Sequence, residues 1–222
     1  MKIKSNSSTE KVVYFVRHGQ SDDNVTPVFQ SPDSPLSKKG KQQADFIAKR
    51  VSEVAFDVII SSPQQRTRQT AEIISEITGR KIEFSKLFVE RIKPSFINGK
   101  SYTDEAASKT WRDWENSLVT AGHKVEDGES YNEITRRADE ALDYLLERPE
   151  KNLLVVTHGY ILRTIVARVL LGNTLEPRSF KNLQKVMSME NTGITVMVYE
   201  GAFEQDPCWR LRIYNDHAHL AE

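Results

Sequence analysis

Short, almost wholly apolar runs alternate along this chain with stretches whose apolar residues recur at helical spacing. Residues 12–16 (VVYFV), 56–61 (FDVIIS) and 152–157 (NLLVVT) have the β-branched and aromatic content of buried strands. Residues 82–89, 186–190, 194–200 and 209–214 form weaker strand patterns. Between the strands, Ser37 reads as the N-cap of a helix carrying Ala44, Ile47, Ala48 and Val51 inward. Ser62-Pro63 opens a second helix with proline at its first position, an apolar stripe of Thr70, Ile73, Ile74 and Ile77, and Gly79 as terminator. A third helix is expected over 103–120. A fourth follows the capping box Ser130-Tyr131-Asn132-Glu133, and a fifth runs over 160–171 and stops at Gly172. Near-continuous apolar strands alternating with amphipathic helices predict an α/β protein, a three-layer αβα sandwich around a mostly parallel, mixed central sheet. Residues 1–11 read as a flexible N-terminal tail. Residues 12–222 read as one domain, with an insertion at about 90–128 that caps the substrate.

Composition narrows the class. Lysine plus arginine equals aspartate plus glutamate, 31 against 31, so no net field draws the chain to nucleic acid or to an anionic membrane. The single cysteine, Cys208, allows no internal disulfide and fits a reducing, cytoplasmic setting. The polar, serine-rich start is unlike a signal peptide, and the longest apolar stretch, 161–171, is broken by Arg163 and Arg168.

The chemistry sits where strands end. The first strand runs into Arg17-His18-Gly19, the second into Ser61-Ser62-Pro63 with two arginines in the next turn, and the third into His158-Gly159. Open α/β sheets bind ligands past the carboxyl ends of their strands, so parallel neighbours would bring these groups to one edge beside helix N-termini. A phosphoryl group suits guanidinium forks there. Arg66 shares its helix face with Thr70, Ile73 and Ile77 and is placed in the site. Arg68 shares a face with Glu72 and Glu76 and is placed at the surface, paired with Glu72. His123 reads as a loop residue, and His217 and His219 as solvent-facing or part of the terminal packing. No His-Glu-x-x-His or cysteine cluster suggests a metal, no Gly-rich loop follows Cys208, and no P-loop is visible, so neither metal nor cofactor is expected.

The strand-end motifs resemble those of the histidine phosphatase superfamily, also called phosphoglycerate mutase-like. The resemblance rests on residues 16–24 (VRHGQSDDN), 35–44 (PLSKKGKQQA), 61–71 (SSPQQRTRQTA), 127–130 (DGES) and 155–159 (VVTHG), in order. It runs from about residue 12 to the end and is weakest over 91–126. It implies His18 as a nucleophile forming a phosphohistidine, with its tautomer fixed by a carbonyl or hydroxyl. Arg17, Arg66 and His158 would clamp the phosphoryl oxygens, with Asn24 and Gly159 in the phosphate-binding set. It implies Glu90 as general acid and base, with Asp22 and Asp23 as alternatives. Segment 91–126 would shape the substrate pocket, where Ser21, Arg91, Lys93, Lys100 and Arg112 could meet the substrate. Trp111 and Trp114 share one helical face and read as core packing before a stacking platform. The mutase branch continues after its Glu with Arg-His-Tyr-Gly, and here Glu90 is followed by Arg91-Ile92-Lys93-Pro94. The acid phosphatase branch has Asp after its second His, where this chain has Gly159. A metal-independent phosphatase acting on a phosphorylated small molecule or phosphoprotein is the expectation. Mutase-type transfer and a non-catalytic phospho-ligand protein on the same fold are the rivals.

Overall fold

The computed structural model describes residues 11–201 and 206–220. Among them, six strands form one sheet: β1 (Lys11–Arg17), β2 (Val58–Ser61), β3 (Ile82–Phe84), β4 (Asn152–Thr157), β5 (Ile194–Glu200) and β6 (Cys208–Asp216). Their order is β3-β2-β4-β1-β5-β6. The first four are parallel neighbours, while β5 runs antiparallel to β1 and β6 antiparallel to β5. The helices are α1 (Lys38–Ser52), α2 (Gln65–Thr78), α3 (Glu105–Ser117), α4 (Tyr131–Glu147), α5 (Gly159–Leu171) and α6 (Pro177–Val186).

The alternation of side chains along each strand divides the core between two faces. Val13, Phe15, Leu153 and Val155 pack under Ala138, Leu142, Leu145, Ile161 and Ile165 of α4 and α5. Val16, Leu154, Val156 and Ile59 face Ile47, Ala48, Val51, Ala71 and Ile74 of α1 and α2. Helices therefore cover both sides of a mostly parallel sheet, the three-layer arrangement expected from the sequence. Among the described residues no helix is long and apolar enough to cross a membrane.

Several local expectations change. Residues 1–10 of the predicted tail lie outside the described residues. Lys11 opens β1, is buried, and donates from Nζ to the carbonyls of Arg148 and Glu150. Pro63 precedes α2 rather than occupying its first position, because Gln64 is the N-cap. Ile77 is 46% exposed, so the inward stripe of α2 is Arg66, Thr70 and Ile74. The stretch 82–89 is a three-residue edge strand followed by a 3-10 turn, Lys86–Phe88. Residues 186–190 are not a strand. Val186 ends α6, a ten-residue helix absent from the sequence expectation, which lays Phe180 and Leu183 on the core. Arg68 makes no ion pair with Glu72. Its guanidinium lies 4.7 Å over the Phe84 ring.

Candidate functional site

The adjacency of β2, β4 and β1 fixes the site. Arg17 pairs in register with Thr157 and Ser61 with Val156, so the three strands stop at one level. The backbone N–H of His18 continues the ladder to the Thr157 carbonyl at 2.9 Å, and that of Ser62 to the Val156 carbonyl at 3.0 Å. His18 and His158 consequently meet edge to face, their ring centroids 5.0 Å apart.

His18 is held in one tautomer. Its Nδ1 lies 2.6 Å from the carbonyl of Gly19, and its Nε2 accepts the Nε–H of Arg66 at 3.1 Å. An arginine Nε can only donate. Nε2 therefore carries the lone pair and Nδ1 the proton that goes to Gly19. Asn191 fixes the backbone by donating to the His18 carbonyl at 2.8 Å. Burial, with Arg66 and Arg17 adding to it, holds the His18 pKa well below the ordinary imidazole value. At neutral pH the ring is uncharged and Nε2 carries no proton, only the hydrogen bond it accepts from Arg66, the form a nucleophile needs.

Three cationic or polar arms surround that nitrogen. Arg66 also donates to the carbonyl of Ser31 and to Gln64 Oε1, and burial brings its pKa down to about 10, so it stays charged at neutral pH. Arg17 donates to the Met189 carbonyl but leaves its buried Nε without a partner. His158 bonds the Ser62 hydroxyl through Nε2 at 2.9 Å and leaves Nδ1 without a partner. Unsatisfied buried polar atoms are costly, and here both lie in one cluster. Glu90 comes to the same place from the loop after the Lys86–Phe88 turn. It accepts the backbone N–H groups of Tyr160 (3.1 Å) and Ile161 (3.2 Å) at the start of α5, and that of Arg91 at 3.0 Å. The first N–H groups of α5 thus hold a carboxylate rather than standing free for an anion. Gly19 is required by packing. A Cβ there would lie 2.4 Å from the Gly40 carbonyl, so the glycine lets the strand end pack on α1.

The family model described as histidine phosphatase superfamily (branch 1) matches residues 13–216. The chain belongs to the histidine phosphatase superfamily. Among similar proteins is one named "Probable phosphoglycerate mutase GpmB" from Citrobacter koseri, 32% identical over 213 residues that cover 94% of each chain. Among solved structures, YhfR of Bacillus stearothermophilus is 25% identical, with a TM-score of 0.77 over 95% of this chain and 99% of its own. A mycobacterial glucosyl-3-phosphoglycerate phosphatase is 24% identical, with a TM-score of 0.72 over 94% of this chain and 100% of its own.

The superfamily's strand-end residues converge in this chain, but the expected substrate pocket is only partly realised. A cavity of about 280 Å³ is lined by Arg17, Asn24, Glu90, Lys93 and Gly159. Lys93 is the one expected pocket cation that stays available. Burial, with Arg66 adding to it, lowers its pKa to about 8. Ser21 instead serves the backbone: its hydroxyl and N–H both donate to Asn24 Oδ1. Lys100 lies over the Phe96 ring and pairs with Asp104, and Arg112 is exposed outside this cavity. Of the alternative acids, Asp22 is exposed, while Asp23 lines the cavity and accepts the Ser31 N–H. Arg163 was not expected. It lies one turn along α5 from Gly159, a spacing that puts it on the same helix face.

Arg91 lines the same cavity and is also a structural hub. It is 2% exposed, binds Glu115 Oε1 and the carbonyls of Trp114 and Glu129, and stacks 3.6 Å over the Trp114 ring. Truncating one side of such a buried pair costs about 3 kcal/mol. Arg91→Ala is expected to lower the urea midpoint accordingly. An unchanged midpoint would show that the hub carries no stability.

Proposed function

We propose that this protein is a metal-independent phosphatase that hydrolyses phosphate monoesters of small molecules through a phosphohistidine on His18. The reading is carried by the unprotonated Nε2 of a neutral, buried imidazole, hydrogen-bonded by the charged Arg66 and set beside the unpartnered Arg17 Nε and His158 Nδ1. Nε2 attacks phosphorus and the ester oxygen leaves. Glu90, entering as the carboxylic acid, protonates that oxygen and, now the carboxylate, takes a proton from the water that cleaves the N–P bond. Charge spreading over the phosphoryl oxygens is met by Arg17, Arg66 and His158, with Asn24 and Gly159 completing the cradle. Among the described residues no group of His, Cys, Asp or Glu has the arrangement of a metal site, and the arginines supply the positive charge that the phosphoryl group needs.

A second reading, mutase-type transfer, is favoured by the name of the 32% identical relative. The two differ in what discharges the phosphohistidine: water, or the hydroxyl of an acceptor. The absence of Arg-His-Tyr-Gly after Glu90 supports hydrolysis. The expected result is release of inorganic phosphate from a panel of monoesters in the presence of a chelator. Glu90→Gln is expected to lose about 10²–10⁴-fold in kcat with alkyl esters and far less with an aryl ester, whose leaving group needs no proton. A wild-type protein inert across the panel would overturn the reading, as would one that only exchanges phosphate between hydroxyls.

A further inference from the structure

Beyond the phosphate cradle, the cavity meets a run of rings. Tyr102, Phe29, Trp111 and Trp114 follow one another with centroids 4.8, 5.2 and 5.1 Å apart, and Tyr160 lines the same space. The four are not equivalent. Trp114 is 3% exposed, donates its Nε1 to the Glu129 carbonyl and carries Arg91 on its face, so it is committed to the core. Phe29 is buried against Ile97 and Ala107. Trp111 is half-buried and Tyr102 is 52% exposed, and both line the cavity. These two have ring surface left to offer a ligand.

The charges facing the cavity argue against a leaving group read chiefly by a second anionic substituent. Arg91 is neutralised by Glu115 and donates to two carbonyls. Lys93 is attracted by Glu90 and Asp23. Arg163 donates its Nε to Gln184 and shares the cavity with Glu115. No cation there faces a ligand without an acid nearby. What remains for the leaving group is flat apolar surface, and stacking on it is favourable for any π-face. The cavity, about 280 Å³, has room for a single ring beside Arg17, Asn24 and Gly159.

We infer that Trp111 and Tyr102 form a stacking wall that selects phosphate monoesters whose alcohol carries a single planar ring on a short arm. The inference rests on the phosphatase reading for its chemistry, but the selectivity it describes is a property of binding. Aryl esters also react faster for reasons unrelated to the enzyme, so the test uses ligands that cannot turn over. Benzylphosphonate, methylphosphonate and phosphonoacetate are titrated against the tryptophan fluorescence of the full chain. Benzylphosphonate is expected to bind about tenfold more tightly than methylphosphonate, with Tyr102→Ala and Trp111→Leu each cutting that ratio severalfold and changing the affinity for inorganic phosphate by less than about twofold. The exposed Tyr102 can be truncated without disturbing the core, so the test survives if Trp111→Leu is poorly folded. Equal binding of the benzyl and methyl ligands would overturn the stacking wall, as would tighter binding of phosphonoacetate or a ratio untouched by Tyr102→Ala. If no ester is hydrolysed but the benzyl preference and its loss in the variants persist, the phosphatase reading falls and the stacking wall stands.

Discussion

His18→Ala abolishes phosphate release, with kcat/KM expected to fall by at least about 10⁴-fold, because the variant loses the atom that accepts the phosphoryl group. The size of the effect follows from how little could substitute. His158 is the nearest imidazole, yet its Nε2 is engaged with Ser62 and the ring meets His18 edge to face. Ser21 and Ser62 have their hydroxyls engaged with Asn24 and His158. The substitution should leave the fold intact, since β1 ends one residue earlier and its ladder bonds are backbone bonds. The wild-type pH profile adds a second signature. Burial and two guanidinium groups depress the His18 pKa, so protonation of the nucleophile cannot cause a loss of kcat/KM near pH 6.5. Any acid limb belonging to His18 must lie well below that pH, and kcat/KM measured between pH 4 and 8 checks it. A His18→Ala variant with wild-type kcat/KM would end the account.

Arg66→Ala comes next, with an expected loss of about 10²–10³-fold, mostly in kcat, as for removal of one preorganised donor from a transition state. Arg66 Nε touches the His18 lone pair directly, and Gln64 and the Ser31 carbonyl hold the rest of the guanidinium in place. Arg68, two residues on, serves as the internal control. It lies over Phe84 at the sheet edge, and its replacement by alanine is expected to cost about 0.5–1 kcal/mol of stability and less than about twofold in activity. Steady-state kinetics of the two variants, with an unfolding midpoint for each, separates the roles. A larger loss in Arg68→Ala than in Arg66→Ala would place the cradle on the wrong face of α2.

These assignments were legible in the chain where the signal is local. The capping box at Ser130, the left-handed Gly79 and the apolar runs that became β4 and β5 carry their own instructions. The convergence of Arg17, His18, Arg66 and His158 followed from the expectation that parallel strands end together. Other features were not legible locally. Arg91 looks like Lys93 in sequence, but it is tied to Glu115 and to the Glu129 carbonyl, 24 and 38 residues away. Glu90 is positioned by N–H groups 70 and 71 residues later, which no local pattern announces. Helix α6 is short and its stripe is thin, Phe180, Leu183 and Met187, while the apolar residues near its end imitate a strand.

The central claim is a covalent bond between phosphorus and His18 Nε2. The most direct measurement is to mix the enzyme with a labelled phosphate ester, quench in denaturant within one turnover and map the label on peptides. The account predicts an acid-labile, alkali-stable phosphoryl group on His18 that is absent from His18→Ala. Label on Ser21, Ser62 or Cys208, or turnover with no labelled protein at any quench time, would contradict it.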